Sequence, residues 1–147
     1  MKKIKKILII IQRSNGDVLL SQSLISSLNQ YFENPHIDLF VNDDTLSVAR
    51  LLSNINFIHT FSYKKKREKR WKQEKDIIIS IFKKYDLSIN LTASDRSVLY
   101  ALFASNNSIS AIEKDKSKTW WKRLFLKHHY FFDTTKHILL NNLEPLN

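Results

Sequence analysis

The sequence predicts an α/β fold built on a doubly wound, mostly parallel sheet, and three observations carry that expectation. Ile4 to Ile11 is a β-rich apolar run, the mark of a strand covered on both faces. Apolar runs of strand length then alternate with helical stripes from one end of the chain to the other, the pattern of repeated strand–helix–strand units. Finally, 147 residues of which 43% are hydrophobic bury roughly 68 to 70% of their unfolded surface, enough for one core and too little for two. Residues 1–147 therefore read as a single domain, without internal repeat or low-complexity linker.

After the first strand, apolar residues at Val18, Leu20, Leu24, Ile25, Leu28, Tyr31 and Phe32 fall on one helical stripe starting at Asp17. His36 to Val41 is the second strand, and Asp43 or Asp44 caps a helix to about residue 53. Asn56 to Phe61 is the third strand. The segment from Lys64 to Phe82 reads as one long helix, wet in its first half and buried in its second, ending at Lys83 and Lys84, which suit the negative end of a helix dipole. Leu87 to Leu91 is the fourth strand, Asp95 to Ser105 a helix and Ser108 to Ile112 the fifth strand. Lys118 to Phe132 is ambiguous between helix and strand. Thr134 or Thr135 caps a last helix through Leu143, which Pro145 stops.

Composition removes several function classes. The absence of cysteine excludes a disulfide framework, thiolate catalysis and any zinc site that needs sulfur. The start Met1-Lys2-Lys3-Ile4-Lys5-Lys6 imitates a secretory signal, but its apolar run is short and meets Gln12-Arg13 at once. No stretch approaches the ~18 apolar residues that span a bilayer, so the expectation is a soluble or peripheral cytoplasmic protein.

With Lys+Arg 24 against Asp+Glu 14, the formal charge is +10. The excess is concentrated: residues 64–75 hold eight basic and two acidic side chains, and residues 114–127 six and one. Such blocks are solvated helix faces, nucleic-acid contacts or contacts with an anionic membrane surface. Aromatic rings lie among the cations, Trp71 beside Lys64, Lys65, Lys66, Arg67 and Arg70, and Trp120, Trp121 and Phe125 beside Lys122 and Arg123. That mixture suits a lipid headgroup boundary, although the same rings could stack on single-stranded bases.

An average chain of this length has about ten glycines, whereas this one has Gly16 alone. It lies in Arg13-Ser14-Asn15-Gly16-Asp17-Val18, between the first strand and the first helix, where the chain is expected to turn sharply and a ligand can approach. Ligands of open α/β sheets sit beyond the carboxyl ends of the strands. The alternative is a plain turn with Asp17 as helix cap. The loop lacks the glycines of a dinucleotide fingerprint and the Gly-Lys-Ser/Thr of a P-loop, and one aspartate does not make a phospho-receiver site. The second constellation is Asn90-Leu91-Thr92-Ala93-Ser94-Asp95-Arg96-Ser97, expected beside the first loop, with Ser94 or Asp95 as a simple helix cap the alternative. His128, His129 and His137 have no diagnostic metal spacing, adjacent histidines point to opposite faces of a strand, and no metal or cofactor is expected.

These residues carry a resemblance. Lys6 to Ile10 followed by Arg13-Ser14-Asn15-Gly16-Asp17-Val18-Leu19-Leu20 resembles the opening of the lipopolysaccharide heptosyltransferases of glycosyltransferase family nine. Further matches follow in order: Tyr85-Asp86-Leu87-Ser88-Ile89-Asn90-Leu91-Thr92, Trp120-Trp121-Lys122-Arg123-Leu124-Phe125, and Lys136-His137 with Asn142-Leu143.

The resemblance implies the N-terminal, Rossmann-like, acceptor-binding half of a GT-B enzyme. That enzyme inverts the sugar as it moves heptose from ADP-heptose to the lipopolysaccharide inner core, at the cytoplasmic face of the bacterial inner membrane. It makes Asp17 the general base. Arg13, Ser14, Asn15, Gly16, Thr92, Ser94, Asp95 and Arg96 are the expected acceptor contacts, the two guanidinium groups being suited to phosphates or carboxylates.

Inversion in one displacement does need a carboxylate on the acceptor side. The C-terminal nucleotide-sugar domain is expected to be absent from this chain, so ADP-heptose binds only through that missing part. The 147 residues alone are then an inactive fragment or truncated form. Ser108 to Lys114 departs from the family's Arg/Gly pattern after the fifth strand, which bears on the acceptor. The competing expectation is a non-catalytic membrane-surface or glycolipid-binding module. Nucleic acid is not an expected partner, since it leaves Gly16-Asp17 unexplained.

Overall fold

The computed structural model describes residues 3–147; Met1 and Lys2 of the signal-like start lie outside the described residues. Lys6–Ile11 (β1), His36–Asn42 (β2), Phe57–Phe61 (β3), Leu87–Asn90 (β4), Ser108–Ile112 (β5) and His128–Phe131 (β6) form one sheet in the order β3-β2-β1-β4-β5-β6. All five pairings are parallel, so the doubly wound α/β expectation holds.

The alternation along β1 explains the layering. Ile7, Ile9 and Ile11 face a core with Val18, Leu24, Ile25, Leu28 and Ala49, which lie on helices Asn15–Leu20 (α1), Gln22–Tyr31 (α2) and Leu46–Ala49 (α3). Leu8 and Ile10 face a second core with Phe40, Phe61, Ile77, Ile81 and Tyr100, covered by Tyr63–Ile81 (α4) and Asp95–Ala104 (α5). Helix Lys116–Phe125 (α6) continues this second layer, its Trp121, like Leu102 of α5, packed against the cluster of Val98, Ile112 and Leu126. The last helix, Ile138–Leu143 (α7), returns to the first layer through Leu143. Full burial of an Ile or Leu is worth about 1.5 to 3 kcal/mol, and β1 spends five consecutive apolar residues this way.

Several elements differ from the sequence expectation. The first helix is broken at Ser21, whose hydroxyl donates to the Val18 carbonyl at 2.6 Å, a local bond that competes with the helical ladder. The helix expected to reach residue 53 shrinks to a 3-10 turn at Asp43–Thr45 and the four residues of α3. α4 is kinked at Lys69 (φ −142°, ψ 52°). The buried Gln73 locks its start, accepting from the Ser62 N–H at 2.8 Å and donating to the Ser62 carbonyl at 3.0 Å. The ambiguous stretch resolves into α6, capped by Asp115, and β6. Asp133 takes the Thr135 N–H and hydroxyl in a turn, so the last helix begins at Ile138, and Pro145 lies in a 3-10 turn, Glu144–Leu146.

One polar cluster stabilises the sheet's opposite end. The Tyr85 hydroxyl donates to the buried Asp38 carboxylate at 2.6 Å, His36 Nε2 lies 2.8 Å from the other carboxylate oxygen, and His59 Nε2 is 2.9 Å from the Tyr85 oxygen. Since the tyrosine proton goes to Asp38, His59 Nε2 is the donor in that pair. Burial lowers the His59 pKa from 6.5, with nearby Asp38 opposing and Lys6 and Lys84 adding, and burial with the bond to Asp38 raises Tyr85.

Two outcomes follow. Tyr85→Phe leaves Asp38 and His59 short of a partner and lowers the unfolding free energy in urea by about 1 to 3 kcal/mol. Because the folded state holds fewer protons on His59 than the unfolded state, stability is full above pH 6.5 and falls as the pH drops through the lower folded value. Urea melts of His59→Gln between pH 7.5 and 5 have a shallower slope than those of the parent.

Candidate active site

The loops after β1 and β4 lie side by side because their strands are neighbours. Asn90, fully buried at the end of β4, fastens the second loop. Its Nδ2 lies 2.6 Å from the Thr92 carbonyl and 2.9 Å from both the Ser97 and Ser110 hydroxyls, while its Oδ1 accepts from the Thr92 N–H at 3.0 Å. The Thr92 hydroxyl then accepts from the Gln12 N–H at 2.9 Å, a direct tie between the two loops.

Ser14, not Asp17, is the N-cap of α1. Asp17 is three residues into the helix and completes a capping box, its Oδ2 accepting from the Ser14 N–H at 3.2 Å. The same oxygen takes the Ser14 hydroxyl at 2.8 Å and Arg13 Nε at 3.0 Å. All these bonds converge on one carboxylate oxygen, which fixes the side chain's orientation. Arg13 in turn lies over the Phe132 ring, 4.4 Å from its centroid.

The sharp turn expected at Gly16 is not required. No glycine has positive φ, and an added Cβ there would meet only the Ser14 hydroxyl, at 4.0 Å. What the residue leaves is open space above the first helical turn.

Ser94 caps α5, accepting from the Ser97 N–H at 3.3 Å. Arg96 is held by the neighbouring helix and strand, 3.6 Å from Glu74 of α4 and 4.4 Å over the Phe61 ring centroid of β3. Thr92, Ser94, Asp95 and Arg96 share a cavity of about 550 Å³ with Gln12, Tyr63, Glu113 and Lys118. Arg13, Ser14, Asn15, Gly16 and Asp17 do not line it. The structure thus joins the two loops, but of the residues predicted from them only those of the second line that cavity.

Gln12 lines this cavity although the motif reading passed it over, its place directly after a strand being the signal that marked it. Its Nε2 is buried without a hydrogen-bond partner among the described residues. Tyr63, Glu113 and Lys118 come from distant segments, and no local pattern announces them. No group of three His, Asp or Glu suited to a metal occurs among the described residues.

Lys122 is a correction. Expected on a membrane-facing surface, it is 1% exposed, because it falls on the inward stripe of α6 with Thr119. Its ammonium donates to the Ala93 carbonyl at 3.1 Å and pairs with Asp95 at 2.7 Å, clamping the second loop. Trp121 likewise packs inward and Arg123 is half-buried over the Phe131 ring. Trp120, Trp71, Lys64, Lys65, Arg67 and Arg70 are exposed, and Lys66 is half-buried.

No protein-family model matches the chain. It is similar to lipopolysaccharide heptosyltransferase 3 of Escherichia coli, 27% identical over 116 residues that cover 77% of this chain and 34% of that protein. Among solved structures it superposes on a glycosyl transferase family 9 protein from Veillonella parvula with a TM-score of 0.80 and 20% identity, over 99% of this chain and 41% of that one. It also superposes on the E. coli heptosyltransferase WaaC with ADP-2-deoxy-2-fluoro heptose, with a TM-score of 0.75 and 14% identity, over 95% of this chain and 46% of that one. The chain therefore spans about a third of the curated relative and less than half of each solved structure. The resemblance to glycosyltransferase family nine is borne out in sequence and in fold.

Removing the Lys122 ammonium leaves the Ala93 carbonyl without its donor. Lys122→Met is expected to lower the unfolding free energy by about 1 to 3 kcal/mol in urea and to speed amide exchange of residues 92–95 more than that of β1.

Proposed function

We propose that this chain is the acceptor-side domain of an inverting glycosyltransferase that moves a heptose from ADP-heptose to the inner core of lipopolysaccharide. The observation that carries the reading is Asp17, a carboxylate oriented by Ser14 and Arg13 through a single oxygen, at the carboxyl end of the central strand where α/β sheets take their ligands. The fold likeness to a heptosyltransferase with an ADP-heptose analogue supports it.

In this reading Oδ2 is the anchored oxygen and Oδ1 takes the proton. The acceptor hydroxyl attacks the anomeric carbon and a new glycosidic bond forms. The bond from that carbon to the diphosphate oxygen breaks, its electron pair leaves with ADP, and the hydroxyl proton passes to Asp17. Arg13, Ser14, Asn15 and Gly16 border the attacking hydroxyl. Thr92, Ser94, Asp95 and Arg96, with Gln12, take the polar groups of the acceptor in the adjoining cavity, Arg96 meeting a phosphate or carboxylate. The nucleotide-sugar site belongs to a further half beyond these residues, in keeping with the relatives' greater length. The acceptor's lipid anchor sets the work at the cytoplasmic face of the bacterial inner membrane, against which the basic blocks rest.

A second reading, a non-catalytic glycolipid-binding module, is favoured by one observation: the capping box alone accounts for Asp17. Asp17→Asn in a protein joined to its nucleotide-sugar half separates the two. A general base loses about 10²- to 10⁴-fold in kcat with KM within a few-fold, whereas a cap residue loses about 1 kcal/mol of stability and little rate. Retention of the parent rate would sink the assignment of Asp17 as base.

A further inference from the structure

The two basic blocks are far apart in sequence, yet the fold brings both into one helix layer. α4 carries eight cations and three carboxylates, α6 four cations and no carboxylate, and α5 one of each. The four helices of the opposite layer, α1, α2, α3 and α7, together carry one carboxylate, Asp17, and no cation. The charge of the helices is thus almost entirely one-sided.

The same layer exposes a run of apolar side chains that no packing requirement explains. Trp71, Ile79 and Phe82 stand on and just past α4, Leu99 and Phe103 on α5, and Trp120 on α6; Trp71 is 79% and Leu99 42% exposed. They join across the helix boundary, with the Phe82 and Phe103 rings 6.3 Å apart. Cations lie over the rings, Arg70 at 5.4 Å from Trp71 and Lys83 at 5.7 Å from Phe82.

We infer that the outer face of α4, α5 and α6 docks flat on an anionic lipid bilayer, with Ile79, Phe82, Leu99 and Phe103 entering the headgroup boundary and the exposed lysines and arginines of α4 and α6, which exclude the buried Lys122, meeting lipid phosphates. This deepens the membrane-surface reading and is independent of the role of Asp17. Charge complementarity selects the occupant: many cations on one broad helix layer match a planar sheet of negative charge. The aliphatic members favour lipid over nucleic acid, since Ile79 and Leu99 have neither a π-face for a base nor a hydrogen-bonding group. A helix layer also gives the face an apolar component that Lys64 to Arg70 alone lack.

The test is co-sedimentation of the 147-residue chain with phosphatidylcholine vesicles, with and without phosphatidylglycerol, at low salt. The parent is expected to bind only the anionic vesicles, with a blue shift of tryptophan emission that Trp71→Phe reduces. Leu99→Gln with Phe103→Gln lies outside both basic blocks and replaces exposed side chains only; it is expected to weaken partition about tenfold while keeping the parent's thermal unfolding curve. Should that pair unfold, Ile79→Gln with Phe82→Gln carries the same expectation. Unchanged partition of a folded pair overturns this face while leaving the electrostatic membrane reading intact. Absence of parent binding to anionic vesicles overturns both. Concentration-dependent self-association abolished by the same pair, or salt-steep binding to a single-stranded oligonucleotide without vesicle binding, overturns it in favour of a second copy or of nucleic acid.

Discussion

The structure depends on β1 being covered on both faces. Five consecutive apolar residues leave this strand no wet side, so a helix layer must lie above and another below, and a parallel neighbour must flank each edge. From that constraint follow the strand order, with β2 and β4 on either side, and the adjacency of the loops that leave β1 and β4. The Gln12–Thr92 bond is the visible outcome of a choice made by apolar burial.

The first five strands and the two loops were legible because their signals are local or follow from topology, whereas β6 lay in a stretch that read equally as helix. A buried parallel strand is an apolar run wherever it sits, and neighbouring strands deliver neighbouring loops. Ser94 as the cap of α5 belongs to the same class. The helix breaks were not legible, because a periodic stripe from Val18 to Phe32 is compatible with one helix or two. Ser21 decides between them through a bond within its own turn. The kink at Lys69 is silent for a related reason, since no glycine or proline marks it.

Lys122 was hidden by its type. Its position on the Thr119 stripe of α6 makes it inward-facing, yet a lysine in a cationic block reads as solvated. Burial is tolerated here because the Ala93 carbonyl, 29 residues earlier, and the Asp95 carboxylate at the start of α5 converge on its ammonium. Such a long-range pairing leaves no trace in local spacing. Tyr63 and Lys118 reached the cavity by the same non-local route, whereas Asp17 and Arg96 were singled out by motifs, and the fold gives them partners, Ser14, Arg13 and Glu74, that motifs do not specify.

The one-sided charge of the helix layers gives the molecule a dipole moment running through the sheet from layer to layer. A body so polarised feels a torque in any external field and turns before it touches anything. Within about 8 Å of a charged surface, the screening distance at physiological salt, rotational diffusion is no longer even-handed. The first encounter is biased toward one face, and the search for a productive orientation shrinks from a sphere of approaches to a narrow cone.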